Sequence, residues 1–356
     1  MTDRLLPATA LLLMTIAAAA AEAEGLPLAV PPGDPHVSFS GRWDQRDAAA
    51  PRCAWPACAV RVRFHGTAAN ALLAGGHDIA FQVLIDGVPA ATVQLADGQG
   101  IYQAASALSD KDHTIELMKR TESFQGIATF KGFQLSAGAK LLGSDKPARR
   151  IEFIGDSITC GYGDEAASQN EHFSPRTANA ALAWGAVAAR QLKADLMVEA
   201  WSGIWLMDNG HDLPMPKRWE RTLPDDASSS WPFASWIADA VVINLGTNDG
   251  NRPIDEGAWS AAYHGFIATI RTHYPKAHIF LCIGAMGHGP KDCLIGYNER
   301  LAMDFAAKGD ARIHALALPN QRQEDGIGAD WHPSIKTHQI MADLLTAAVK
   351  KELAWP

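Results

Sequence analysis

The sequence predicts an all-β jelly-roll sandwich followed by an α/β domain, a parallel sheet with helices on both faces. Two patterns predict it. Up to about residue 142 apolar residues alternate with polar ones at the period of a half-buried strand. From Ile151 onward, strand-length apolar runs alternate with segments of helical periodicity, the signature of βα units. At 356 residues the chain is also longer than one domain commonly is.

The first segment stands apart. Arg4 supplies a positive charge, Leu5 to Ala20 an apolar stretch, and Ala21-Glu22-Ala23 a small-residue cleavage site. Residues 1–23 are therefore expected to be a signal peptide, and the mature protein to be secreted or periplasmic. The sandwich is expected over residues 36–142. Val60, Val62 and Phe64 alternate with Arg61, Arg63 and His65. Ile79, Phe81, Val83 and Ile85 repeat the pattern and end at Asp86-Gly87, a hairpin signal. Ile115 and Leu117 mark a further strand, and several short strands at regular spacing make two packed sheets. Gly143-Ser144-Asp145-Lys146-Pro147 breaks the pattern, because Pro and Gly terminate strands, and a second domain is expected over residues 148–356.

In that domain the runs Ile151–Ile154, Leu196–Val198, Ala240–Leu245, Ile279–Ile283 and Ile313–Leu318 have the length and apolar character of buried parallel strands. A helix is expected to begin at Ser174-Pro175, a fair N-cap and first-turn pair, and to run toward Leu192. Tyr263, Phe266, Ile267 and Ile270 share a face of another, stopped by Pro275; the last carries Ile340, Leu344 and Leu345 at helical spacing.

Hydrophobic residues make up 47% of the chain, enough for a large core, and a net charge of −8 leaves no electrostatic footprint for nucleic acid. Outside the N-terminus no apolar run reaches the ~18 residues of a membrane span, so no membrane association is expected once the signal is removed. In an oxidising compartment Cys53 and Cys58, and separately Cys282 and Cys293, could be bridged, with Cys160 left over. Free buried thiols are an equal alternative, because spacing does not fix connectivity. No C-x-x-C or H-E-x-x-H pattern occurs, and neither metal nor cofactor is expected. Gly161-Tyr162-Gly163-Asp164-Glu165-Ala166 fits G-x-G-x-x-A but does not stand directly between a strand and a helix, as a dinucleotide fingerprint must.

The chemistry starts where Phe153-Ile154 breaks at Gly155-Asp156-Ser157, a strand end that delivers a hydroxyl to the edge of the sheet. By itself Gly-Asp-Ser is a turn with a capping serine. A serine becomes a nucleophile only beside a base, and the reaction needs donors for the oxyanion. His332, followed by Pro333-Ser334 and a helix, is the candidate base. Near a helix N-terminus the dipole disfavours imidazolium and leaves the ring able to accept a proton. Gly203 follows a second apolar run, and Gly246-Thr247-Asn248-Asp249 a third. Each block alone reads as loop chemistry; together, in this order, they point to a serine hydrolase. Position 159 is Thr, so the G-x-S-x-G elbow of the α/β-hydrolases is absent.

The ordered set resembles the SGNH (GDSL-type) hydrolases, named for Ser, Gly, Asn and His. With a β-sandwich before it, the Gly155-Asp156-Ser157-Ile158-Thr159-Cys160-Gly161-Tyr162-Gly163 run and Asp330-Trp331-His332-Pro333-Ser334, the chain looks like the carbohydrate esterases of family two. The resemblance implies a serine esterase that removes O-acetyl groups from acetylated xylan, glucomannan or 6-O-acetyl hexosides through an acetyl-enzyme, without a cofactor. It implies Ser157 as nucleophile, His332 as base, and an oxyanion hole made by the Ser157 and Gly203 amides and the Asn248 side chain. SGNH enzymes carry an Asp three residues before the His, whereas Asp330 precedes His332 by two. Asp330 is expected to complete the triad, since alternate side chains of an extended segment share a face; a backbone carbonyl orienting the ring is the alternative. Trp201, Trp205 and Trp331 adjoin these residues and are candidates for stacking on a sugar, packing being the other use of a tryptophan. Two other functions fit the same blocks: a general short-chain acyl esterase or lipase, and a carbohydrate-binding protein whose hydrolase domain is inert.

Overall fold

The alternation of apolar and polar residues in the first part of the chain is realised in two antiparallel sheets around one core. The structure, a computed structural model, describes residues 27–286 and 292–356; the expected signal peptide, residues 1–23, lies outside the described residues. The strands in chain order are β1 (Leu28–Val30), β2 (Val37–Ser40), β3 (Arg52–Cys53), β4 (Ala59–Gly66), β5 (Ala69–Ala74) and β6 (Ala80–Ile85). They continue with β7 (Val88–Gln94), β8 (Ile101–Ala105), β9 (Lys111–Lys119), β10 (Ala128–Leu135) and β11 (Lys140–Leu141). Among the described residues one sheet has the order β1-β10-β5-β8 with β3 on β10, and the other β11-β4-β9-β6-β7 with β2 on β4. β4 turns Val60, Val62 and Phe64 inward and leaves Arg61, Arg63 and His65 half-buried. β6 and β7 meet at Asp86-Gly87, whose φ angles of 53° and 81° are those a tight hairpin of matching twist demands.

After an irregular segment at 142–147 the second sheet system begins. It comprises β12 (Arg149–Gly155), β13 (Ala194–Ala200), β14 (Ala240–Asn244), β15 (His278–Ile283) and β16 (Ile313–Ala317), with helices α1 (Ser157–Cys160), α2 (Trp184–Leu192), α3 (Met215–Arg218), α4 (Glu256–His273), α5 (Asp292–Ala307) and α6 (Ile335–Leu353). The strands are all parallel, in the order β13-β12-β14-β15-β16. Alternate residues serve opposite faces: Phe153, Val198, Val242 and Phe280 pack with α2 and α6, and Ile154, Val241, Ile243 and Leu281 with α4 and α5. Because β12 has β13 on one side and β14 on the other, the chain reverses its direction of travel across the sheet there. Open α/β sheets bind their ligands at such a point, beyond the carboxyl ends of the strands.

Two expectations are corrected, and the choice left open for the cysteines falls to free thiols. The helix expected from Ser174 starts only at Trp184, because the preceding backbone is spent on tertiary bonds: Glu165 N–H to Thr177 O (3.0 Å), Asn179 N–H to Gly161 O (3.0 Å) and Ala180 N–H to Arg120 O (2.9 Å). On α6 the buried face is His338, Met341, Ala342, Leu345 and Val349, leaving Leu344 43% exposed. No disulfide joins any pair of cysteines among the described residues. Cys282 packs on the α2/α6 face of the sheet and Cys293 on the α4/α5 face, so the sheet itself separates that pair.

The two domains share a buried ionic joint. Arg42, from the segment after β2, is fully enclosed; it pairs with Glu152 of β12 at 2.9 Å and Glu199 of β13 at 3.0 Å and donates to the Trp219 carbonyl. Trp219 Nε1–H donates to the same Glu152 at 2.6 Å. Two carboxylates facing one guanidinium in a dry interior cannot both ionise cheaply, and burial holds the Glu199 carboxyl well above the usual carboxylate range.

Candidate active site

Ser157 is the first residue of α1, directly after β12. Asp156 caps that turn, its Oδ1 accepting the Ile158 amide at 3.0 Å. A Cβ on Gly155 would run into the Thr159 side chain, so glycine lets the turn fold back on the strand. Ser157 is 6% exposed, and its Oγ lies 2.8 Å from His332 Nε2.

His332 Nδ1 faces two main-chain carbonyls, Ala329 O at 3.1 Å and Asp330 O at 3.2 Å. A carbonyl can only accept, so Nδ1 carries the proton and Nε2 presents a lone pair to the Ser157 hydroxyl. Burial holds the His332 pKa below its usual value, partly opposed by the two carbonyls. The ring is backed by Tyr162, stacked at a centroid separation of 4.0 Å and an angle of 28°.

Asp330 does not complete a triad through its carboxylate. Oδ2 accepts the Tyr162 hydroxyl at 2.9 Å and the Phe173 amide at 2.8 Å, and Oδ1 lies 2.9 Å from His172 Nδ1. The expectation rested on extended backbone, but Asp330 and Trp331 both adopt left-handed conformations, with φ of 48° and 66°. That geometry turns the carboxylate away and the carbonyls toward the imidazole. Such residues cost about 1–3 kcal/mol each and persist only where surroundings enforce them. Here the bonds to Asp330, and Gln321 Nε2–H to Trp331 O at 2.6 Å, do so.

The loops after β13 and β14, which carry Gly203 and Asn248, are tied to each other and to β12. Trp201 N–H donates to Gly155 O at 3.2 Å, which sets the start of the 201–207 loop against β12. Gly203 has φ of 80°, its amide makes no hydrogen bond among the described residues, and nothing lies within 4 Å of where a Cβ would stand. Asn248 Nδ2–H donates to Ile204 O at 2.9 Å. Its neighbour Asp249, fully buried, accepts the Leu206 amide at 3.0 Å and the Met207 amide at 2.9 Å. Burial pushes the Asp249 carboxyl up, and these amides pull it back.

The three tryptophans differ. Trp331 is 57% exposed beside His332. Trp201 is half-buried, with the Arg218 guanidinium 3.8 Å above one face and Phe124 edge-on at 4.2 Å. Trp205 lies under Arg252 at 5.0 Å. The sequence reading missed Tyr162, Asp249 as a clamp, and Glu122, which follows β9 and bonds to Ser202. Tyr162 and Asp249 stand within the quoted motifs; no local signal marks Glu122. Among the described residues no cluster of His, Cys, Asp or Glu is set to hold a metal ion, and no helix is long and apolar enough to cross a membrane.

Comparison with known proteins agrees with this architecture. Residues 39–144 match the carbohydrate esterase 2 N-terminal family, and residues 153–340 the GDSL-like lipase/acylhydrolase family. A family two carbohydrate esterase from Clostridium thermocellum, solved in complex with cellohexaose, superposes with a TM-score of 0.85 at 38% identity, over 90% of this chain and 100% of that one. The chain belongs to the GDSL-like lipase/acylhydrolase family and, within it, to the family two carbohydrate esterases. The cellulase/esterase CelE of Acetivibrio thermocellus is 38% identical over 90% of this chain, which spans 40% of that protein's length. An acetylxylan esterase / glucomannan deacetylase of Cellvibrio japonicus is 25% identical, with 90% of each chain covered.

Proposed function

We propose that this protein is a serine esterase that removes O-acetyl groups from carbohydrate, with Ser157 and His332 acting as a dyad oriented by backbone carbonyls. The observation that carries the reading is the 2.8 Å contact of Ser157 Oγ with a His332 Nε2 whose lone pair is fixed by the carbonyls behind Nδ1. Ser157 Oγ attacks the acetyl carbonyl carbon as its proton passes to Nε2. The tetrahedral oxyanion is stabilised by the Ser157 and Gly203 amides and by the second Asn248 amide hydrogen, the first being held by Ile204 O. Collapse breaks the bond to the sugar oxygen, which takes the proton from His332 and leaves an acetyl-enzyme. Water then attacks and gives one proton to Nε2, Ser157 regains it as the intermediate collapses, and acetic acid departs and loses its remaining proton to solvent.

The exposed Trp331 ring beside His332 supports a pyranose substrate, and acetylated xylan and glucomannan are the substrates in the relatives' names. We also propose that residues 36–142 form a jelly-roll module, residues 148–356 the hydrolase, and residues 1–23 a cleaved export signal. The test is acetate release from acetylated xylan and glucomannan by the wild type and Ser157→Ala. The wild type should release acetate, and the folded variant none; activity retained without the Ser157 hydroxyl overturns the reading.

A further inference from the structure

The sandwich domain reaches into the loop that carries Gly203. Glu122, just beyond β9, is 2% exposed; its Oε2 accepts the Ser202 amide at 3.0 Å and its Oε1 the Ser202 hydroxyl at 2.8 Å. The acid is itself anchored. Lys119, also buried, donates from Nζ to Thr121 O at 2.7 Å and to Glu122 O at 2.9 Å, fixing the backbone from which the carboxylate extends. Burial pushes the Glu122 carboxyl up, and the two Ser202 donors, the Cys160 thiol and the Lys119 ammonium pull it back toward the charged form.

Gly203 needs such a restraint. It combines a left-handed backbone with open space beyond its Cα, so local sterics do little to fix the direction of its N–H. The hydrolase domain secures the later part of the loop at Ile204, Leu206 and Met207, through Asn248 and Asp249. At Ser202, whose peptide carries the Gly203 nitrogen, Glu122 of the other domain holds both the amide and the hydroxyl, with the Cys160 thiol of the hydrolase domain also against that side chain.

We propose that Glu122 is a positioning residue for the Gly203 oxyanion donor, making the N-terminal sandwich a working part of the active site. The inference rests on the esterase reading above. An oxyanion donor acts on charge that develops only in the transition state, so misplacing it lowers kcat and spares KM. Losing a donor outright costs about 10²–10³-fold in kcat, and a loosened one less.

The experiment is steady-state acetate release by the full chain carrying Glu122→Gln or Ser202→Ala, with thermal melting measured in parallel. Glu122→Gln exchanges two charge-assisted contacts for weaker neutral ones, with the Ser202 hydroxyl turned to accept from the new amide; its kcat should fall about 3–10-fold while KM changes less than about threefold. Ser202→Ala removes the hydroxyl contact and keeps the amide contact, so it should lose about 2–10-fold in kcat with the same KM pattern, and less than additively in the double variant. A wild-type kcat in folded Glu122→Gln, or a loss that tracks only the unfolded fraction, overturns the inference. If Glu122→Gln does not fold, Ser202→Ala decides alone: a kcat loss at constant KM supports the inference and an unchanged kcat refutes it. Wild-type activity that depends on Ser157 but is indifferent to both substitutions sinks the Glu122 role and leaves the esterase reading standing. A wild type that releases no acetate removes both.

Discussion

Tyr162 lies flat against His332, and its hydroxyl donates to Asp330, so the carboxylate reaches the imidazole only through a third side chain. The His172 ring, which lies against it, and the Phe173 amide hold Asp330 in its charged form, below the usual carboxylate range. It acts as a brace for the loop that delivers two carbonyls to Nδ1.

Asp330→Asn should therefore be mild. A triad carboxylate is worth about 10⁴-fold in kcat. An amide at position 330 can still accept from the Phe173 amide and leaves the carbonyls in place, so kcat/KM should fall less than about tenfold. Asp330→Ala, which releases Tyr162 and Phe173 together, should lose more activity and lower the melting temperature. Steady-state kinetics of the pair checks the order.

The pH profile should show the burial of His332. In the proposed mechanism the neutral ring is the base, and burial disfavours the imidazolium, so its folded pKa lies below the ordinary 6.5. Activity should hold as pH falls through 6.5 and decline only on the more acid side of it. A kcat/KM profile on a chromogenic acetate locates that limb in the free enzyme.

Asn248→Ala should remove one oxyanion donor and also the bond to Ile204 O. The expected loss in kcat is about 10²–10³-fold, equivalent to about 2.7–4 kcal/mol of barrier. Asn248→Asp, which keeps the shape but replaces the amide with a negative acceptor, should be no better. Acetate release at saturating substrate distinguishes both from a binding defect.

Arg42→Met should be among the most destabilising single changes in the chain. It strands Glu152 and Glu199 without their counter-ion at a joint where all three side chains are fully buried. Breaking such a site costs about 3–5 kcal/mol, and replacing all three residues by apolar ones should recover much of the loss. Urea unfolding of the single and triple variants measures both numbers.

His338 should make stability depend on acidity. It is fully buried on α6, its Nδ1 accepts the Trp184 amide at 3.3 Å, and burial carries its pKa down from 6.5 to about 3. Between those values the unfolded chain binds the extra proton, so the contribution is intact above pH 6.5 and drains away as pH falls toward 3. The loss is at most about 5 kcal/mol. His338→Gln, which keeps an acceptor for Trp184 and does not titrate, should flatten the fall in unfolding free energy over that range.

The residues that close buried strands were the legible ones. Ser157, Gly203 and Asn248 each follow an apolar run, and hydropathy alone delivers them to one edge of a parallel sheet. Asp330 misleads because its direction depends on two successive left-handed residues, a conformation that tertiary bonds impose and spacing does not reveal. The same cause shortened the helix expected from Ser174: its first turns had good local signals, but the backbone found better partners in Gly161 and Arg120. For Trp201 the sequence leaves sugar stacking and packing open, and the Arg218 guanidinium on one of its faces is a tertiary contact that spacing does not reveal. Glu122 was invisible because its partner, Ser202, lies in the other domain.

The joint around Arg42 bears on how such a chain can be divided. A gene fragment beginning at residue 148 would encode a hydrolase with two enclosed acids lacking their cation and a Gly203 loop lacking its outside anchor. A cut between the two parts separates Arg42 from both acids and Glu122 from Ser202, so each part should be less stable alone than in the joined chain.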